Sequence, residues 1–342
     1  MNQRRPISID EAPNLPGPFD REEEAEPWFL PSEEDSFDPV PLAPRRSLLD
    51  AAGWRAAEAG LAAELVDLAL DLGRLAERLS VAGPGALQRL ALAEAGSLSW
   101  WHGDRVAADQ LALWLSYRIG AAEEGGEGLI RTAWAARRLM VPMVGGLGEA
   151  LAATLGGDGR ADAGLLADVA AEMTALAGCS PLTRGCALFH LWRSLDERPD
   201  HLRGLEAAVL GARVAGQAGR LAFLPLTLTG FTALTASGNP EARLAGWISR
   251  AHRSVLAALM ALDRLADWQA RARAGTADLS GRTPARLIAA LSAHPMLAAP
   301  QAEAETWASR AAVQRNLDLL VARGLVREVT GQGRFRVWAA RL

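Results

Sequence analysis

At 342 residues the chain has room for two domains, and with half its residues hydrophobic it can fill packed cores. The longest apolar stretches stop well short of the ~20 residues of a membrane span. The N-terminus leads into an acidic tract rather than an apolar leader. Two cysteines, with no Cys/His cluster near them, argue against both a disulfide framework and a zinc site. A cytoplasmic protein with no membrane contact, no metal and no cofactor is the expectation. All 36 basic residues are Arg and the net charge is only −4, but the charge is unevenly spread. Residues 1–50 carry 12 acidic and 5 basic residues, whereas residues 283–342 carry 8 Arg against 4 acids. The C-terminal end is therefore the candidate polyanion-binding surface.

Residues 1–45 are rich in Pro and acids, as in Glu22-Glu-Glu-Ala-Glu26 and Pro39-Val-Pro41. Such a segment buries too little apolar surface to offset its ordering entropy, and it is expected to be disordered. Trp28-Phe-Leu30 is its one anchor-like stretch. Residues 46–274 read as an all-helical domain. Leu61, Leu65, Leu68 and Leu72 recur at helical spacing. Further helices are expected over 85–95, 105–119, 127–140, 144–155, 162–177, 184–194, 203–216, 220–235 and 240–272. Gly83-Pro84-Gly85, Cys179-Ser-Pro181 and Gly238-Asn-Pro240 punctuate them. The pattern predicts an orthogonal multi-helix bundle with no parallel sheet.

Residues 275–282 read as a linker, and residues 283–342 as a winged helix-turn-helix. The first helix starts at Pro284, with Leu287, Ile288 and Leu291 as its buried stripe. Pro300 opens a second, short helix that ends at Glu305. Ser309 is placed to cap a third, Arg310 to Arg323, whose core side is Val313, Leu317, Leu320 and Val321. Leu325–Val329 and Arg334–Trp338 then flank Thr330-Gly-Gln-Gly333 as a β-hairpin wing.

This arrangement points to double-stranded DNA as the partner. The third helix would enter the major groove. Arg310 and Arg315 would meet guanine or phosphate, and Gln314 adenine. Backbone amides at Ser309 would meet a phosphate. Gln332, Arg334 and Arg336 would extend the contact from the wing. The competing reading is a winged helix used for protein contacts. Glu303, Glu305 and Asp318 place negative charge near the proposed face.

In the helical domain, Ser97-Leu-Ser-Trp-Trp-His102-Gly-Asp104 reads as a polar corner between helices, the alternative being a ligand pocket. Cys179 and Cys186 read as buried free thiols. Gly216-Gln-Ala-Gly219-Arg220 follows a helix rather than a strand, so it is a poor phosphate loop. No catalytic residues are assigned.

Two resemblances follow from these residues. Leu319-Leu-Val-Ala-Arg-Gly-Leu325 with Thr330-Gly-Gln-Gly-Arg-Phe-Arg-Val-Trp338 resembles the end of alphaproteobacterial proteins that join a helical domain of unknown function to a helix-turn-helix DNA-binding domain. Arg184-Gly-Cys-Ala-Leu-Phe-His-Leu-Trp192 and Leu224-Pro-Leu226 resemble the middle of that family. The resemblance implies a transcriptional or plasmid/mobile-element regulator whose helical domain, in a homodimer, dimerises or senses a signal. More distantly, the order of parts resembles Fic proteins, which transfer AMP. Their His-Pro-Phe-x-Asp/Glu-Gly-Asn-Gly-Arg core is matched here only at the His of His201-Leu-Arg-Gly-Leu-Glu-Ala-Ala-Val-Leu-Gly-Ala-Arg213. That match implies a degenerate copy without the phosphate cradle. A Fic-like transferase and an antitoxin-like interaction module are the alternative functions.

Overall fold

The computed structural model describes residues 49–118, 126–156, 163–195, 198–331 and 335–342. The expected disordered tail, 1–45, lies outside them, as do Gln332, Gly333 and Arg334 of the wing. The described part is mainly helical, with a small antiparallel sheet near its C-terminus. Its helices are α1 (Ala51–Gly60), α2 (Ala62–Ala82), α3 (Pro84–Trp101), α4 (Ala108–Tyr117), α5 (Gly126–Leu139), α6 (Leu147–Leu155), α7 (Ala163–Thr174), α8 (Pro181–Leu195), α9 (Asp200–Gly216) and α10 (Pro240–Ala274). None is long and apolar enough to cross a membrane.

Local chemistry explains several of the boundaries. Asp50 caps α1 by accepting the Gly53 N–H at 2.9 Å, and Asn239 caps α10 by accepting that of Ala242 at 2.9 Å. Pro240 then occupies the first turn of α10, where its missing N–H costs nothing. The 35 residues of α10 span about 50 Å and form the strut against which α1, α2 and α8 pack. The helical core centres on Phe189, Trp192, Trp247 and Trp268, all fully buried. The α8–α9 pair packs backbone to backbone. A Cβ on Gly185 would lie 2.5 Å from the Gly211 carbonyl oxygen, and one on Gly211 would lie 2.8 Å from that of Gly185. Cys179 and Cys186 are both free and buried, as expected.

The helix expected over 220–235 does not form. Leu221–Thr227 is irregular and buried throughout, and only Thr232–Thr235 makes a short 3₁₀ turn. Pro225 disfavours a helical conformation at Leu224 and lacks a donor of its own. The segment's amides find other partners: Leu221 donates to Gly216 O at 2.9 Å and Leu224 to Ala212 O at 2.8 Å. Leu226 and Thr227 donate to one carboxylate oxygen of Glu94, each at 2.9 Å. Ser97 Oγ donates to Thr227 O at 2.6 Å. Glu94 is completely buried, and desolvation raises its pKa to about 7 against the pull of these N–H donors.

The polar stretch at the end of α3 is a corner. Ser99 Oγ accepts the Val106 N–H at 2.9 Å, and Asp104 pairs with Arg131 of α5 at 2.7 Å. Trp101 and His102 pack with ring centroids 4.4 Å apart beside Gly204 of α9.

After α10 come α11 (Thr283–Ala293), β1 (Leu297–Ala298), α12 (Ala299–Thr306), α13 (Arg310–Ala322), β2 (Val326–Glu328) and β3 (Val337–Ala340). The sheet order is β1-β3-β2, antiparallel, with Leu297 opposite Trp338 and Val326 opposite Ala340. The strand expected over Arg334–Trp338 is instead β3, Val337–Ala340, because Phe335 sits at φ +59°, a left-handed conformation that interrupts a strand.

Candidate nucleic-acid interface

The C-terminal elements share a core of Leu287, Ile288, Leu291, Leu297, Ala302, Val313, Leu317, Leu320, Val337 and Trp338, all buried. The expected core stripes of the first and third helices are thus inside, with Val321 half-buried at their margin. Burying that side of α13 leaves the opposite one open. Ser309 caps the helix, its Oγ accepting the Ala312 N–H at 3.4 Å. Arg310, Ala311, Arg315 and Asp318 are exposed.

The open face is not evenly cationic. Gln314 Nε2 donates to Asp318 Oδ1 at 2.8 Å. The same carboxylate oxygen lies 3.6 Å from Arg336, whose guanidinium sits 5.1 Å from the Trp338 ring centroid. Asp318 therefore draws Gln314 and Arg336 together beside α13. Arg310 and Arg315 form no ion pair or side-chain hydrogen bond among the described residues. The structure thus gathers Ser309, Arg310, Gln314, Arg315 and Arg336 into one region, while Gln332 and Arg334 fall outside the described residues. Of the acids near the face, Glu305 is held by His294 at 2.9 Å, and Glu303 is half-buried.

Two large aromatics among these elements are exposed. Trp307, in the turn before α13, is 87% exposed at φ +56°, and Phe335 is 81% exposed at φ +59°. Left-handed geometry is costly for any residue with a Cβ, and a large aromatic in water gains nothing by packing. Trp307, the C-cap of α12, adopts the left-handed conformation that Gly takes without strain.

The module is fastened to the helical bundle at several points. Arg89 of α3 donates to the Leu291, Ser292 and His294 carbonyls at 2.6–2.7 Å, closing the C-terminal end of α11. Burial lowers the Arg89 pKa only to about 10, so the guanidinium keeps its charge at neutral pH. One turn earlier, a Cβ on Gly85 would fall 2.1 Å from Ala293 O. Trp268 Nε1 of α10 donates to Leu325 O at 2.7 Å. Tyr117 accepts the Ala298 N–H at 2.8 Å and bonds Gln301. The segment expected as a linker is tied down too, because Arg323 pairs with Asp278 at 2.6 Å and donates to Gly275 O. Arg327 of β2 pairs with Asp109 of α4.

His201 is exposed on α9, which continues unbroken to Gly216 where a Fic protein would have its glycine loop. Arg213 is buried instead against Thr154 and the Val141 carbonyl, the latter at 3.0 Å. Comparison with known proteins finds no matching family model and no matching curated protein.

Proposed function

We propose that residues 283–342 form a winged helix that binds double-stranded DNA, with α13 as the major-groove helix. The chain would then be a DNA-binding regulator whose helical bundle dimerises or senses a signal. The order α11-β1-α12-α13-β2-β3 with sheet order β1-β3-β2 supports the winged-helix reading. The observation that carries the DNA reading is the pair Arg310 and Arg315, exposed and uncommitted on the first half of α13. Their forks suit guanine edges or phosphates, and the capped helix end beside them suits a phosphate. Gln314, while bonded to Asp318, keeps its second Nε2–H and its Oε1 for a base.

The test is fluorescence anisotropy of a labelled mixed-sequence duplex with the full chain, repeated across a salt series. Binding should weaken steeply as salt rises. Arg310→Ala and Arg315→Ala should each cost ~1–3 kcal/mol if bidentate to a base, or lower the salt slope by about one if bound to phosphate. Absent or salt-insensitive binding by the full chain would overturn the reading. Retention of wild-type affinity by both variants would remove α13 from it.

A further inference from the structure

A hollow of about 520 Å³ lies where the start of α1, the second half of α8 and the start of α10 meet. It is independent of the α13 face. Its polar lining comprises His190, Arg193 and Ser194 from α8, Arg243 from α10, and Asp50. The α8 contributors belong to or adjoin the stretch Arg184–Trp192, which the DNA reading leaves without a role.

The lining is built for negative charge. Arg193 and Arg243 are both part of the lining, the Arg193 guanidinium lying 5.5 Å from the Phe189 ring centroid and 5.7 Å from that of Trp101, and the N-termini of α1 and α10 both open beside the hollow. Asp50 is the one carboxylate among the described lining residues, and one of its oxygens already accepts the Gly53 N–H. Arg243 Nε and His190 Nε2 are buried yet have no hydrogen-bond partner among the described residues. Leaving such groups unmatched is costly, so the walls of the hollow hold unused hydrogen-bonding capacity. Burial first, then the charges of Arg243 and Arg193, push the His190 pKa down to about 3, so the imidazole is neutral at physiological pH. Trp54 and Leu191 supply an apolar wall, with the Trp54 and His190 rings 6.3 Å apart.

We propose that this hollow binds the phosphate group of a small organic phosphate, held by Arg243, Arg193 and His190, with the organic part against Trp54. The planar forks of guanidiniums fit the several oxygens of a phosphate. The volume leaves room for more than the phosphate itself.

The test uses the full chain with ¹³C-labelled histidine rings, titrated with inorganic phosphate, phenyl phosphate and benzoate. The five histidines keep the spectrum simple, and His190→Asn assigns the signal. Phenyl phosphate should move the His190 signal saturably and bind more tightly than inorganic phosphate. Arg243→Gln should weaken it by roughly tenfold or more, the loss expected when a charge-assisted bond is removed. Calorimetry with the wild type gives the same ranking without any variant, should Arg243→Gln fail to fold. No saturable shift with any probe up to about 10 mM, a concentration well above a useful affinity, would overturn the proposal. So would Arg243→Gln binding as the wild type does, or benzoate binding as tightly as phenyl phosphate.

Discussion

Glu94→Gln isolates the energetic role of one buried carboxylate. Glu94 is fully enclosed and holds the irregular segment 221–227 by its amides. Its pKa is about 7 in the folded chain against an ordinary 4.5. The folded state therefore binds this proton more tightly than the unfolded state does. The associated stability is fully present below pH ~4.5 and is lost as pH rises through ~7. The gap corresponds to roughly 3 kcal/mol, at 1.36 kcal/mol per unit. Gln keeps the Oε1 acceptor that both amides share but cannot ionise. His190, whose folded pKa is about 3, works the other way, contributing stability above its ordinary 6.5 that is lost toward pH 3. Subtracting the variant from the wild type at each pH cancels the His190 contribution. Urea unfolding followed by circular dichroism from pH 5 to 8.5 should show wild-type stability falling relative to Glu94→Gln by roughly 3 kcal/mol. A flat difference, or one that grows with pH in favour of Glu94, would refute the reasoning. Glu94→Ala should be the worse variant at every pH. It strands two buried N–H groups at about 1–3 kcal/mol each.

Three further outcomes follow from the same contacts. Trp307→Gly should raise stability by about 1 kcal/mol in urea unfolding, because it relieves a left-handed Trp that buries little; on the DNA reading it should also reduce duplex affinity, and a variant less stable than the wild type would show that Trp307 packs. Gly85→Ala should destabilise the chain by about 3 kcal/mol through its clash with Ala293 O, and a thermal melt within a degree or two of wild type would show that α11 can slide away. A fragment of residues 280–342, about sixty residues long, should unfold without cooperativity, since it loses the Arg89, Tyr117 and Trp268 contacts; a sharp melting transition for the fragment would count against that dependence.

Local signals made the C-terminal module legible. Pro284 and Pro300 mark helix starts, Ser309 is a cap, and the Leu317/Leu320 spacing marks a buried side. β1 was invisible because two residues make no pattern. β3 was misplaced because it lies between two strands and is buried on both faces, so it shows no alternation of polar and apolar residues. The 220–235 error had a visible warning in Pro225, but the decisive partner, Glu94, lies 132 residues away from Leu226. A lone acid inside Leu90-Ala-Leu-Ala-Glu94-Ala was the available sign of a buried polar contact. Nothing local distinguished Arg89 or Arg243 from a surface arginine. Their surroundings form only when distant carbonyls, or a hollow between three helices, come to lie beside them.

Charge counting along the sequence overstates the positive charge that the C-terminal module presents. Arg323 and Arg327 pair with Asp278 and Asp109, and Arg286 holds the Thr306 carbonyl at 2.8 Å. Those cations fasten and brace the module and are not available to a polyanion. Among the described residues Arg310 and Arg315 remain on α13, and Arg341 is exposed without a side-chain partner at the C-terminal end. On the DNA reading, specificity then depends on a few well-placed donors rather than on a broad positive field. The fastening has a second consequence. A tethered reader on a flexible linker tolerates variable half-site spacing. Here the segment before α11 is held by Arg323, and α11 itself by Arg89. Any dimer made through the bundle would therefore fix the distance between its two α13 helices, and with it the spacing of the half-sites it could read.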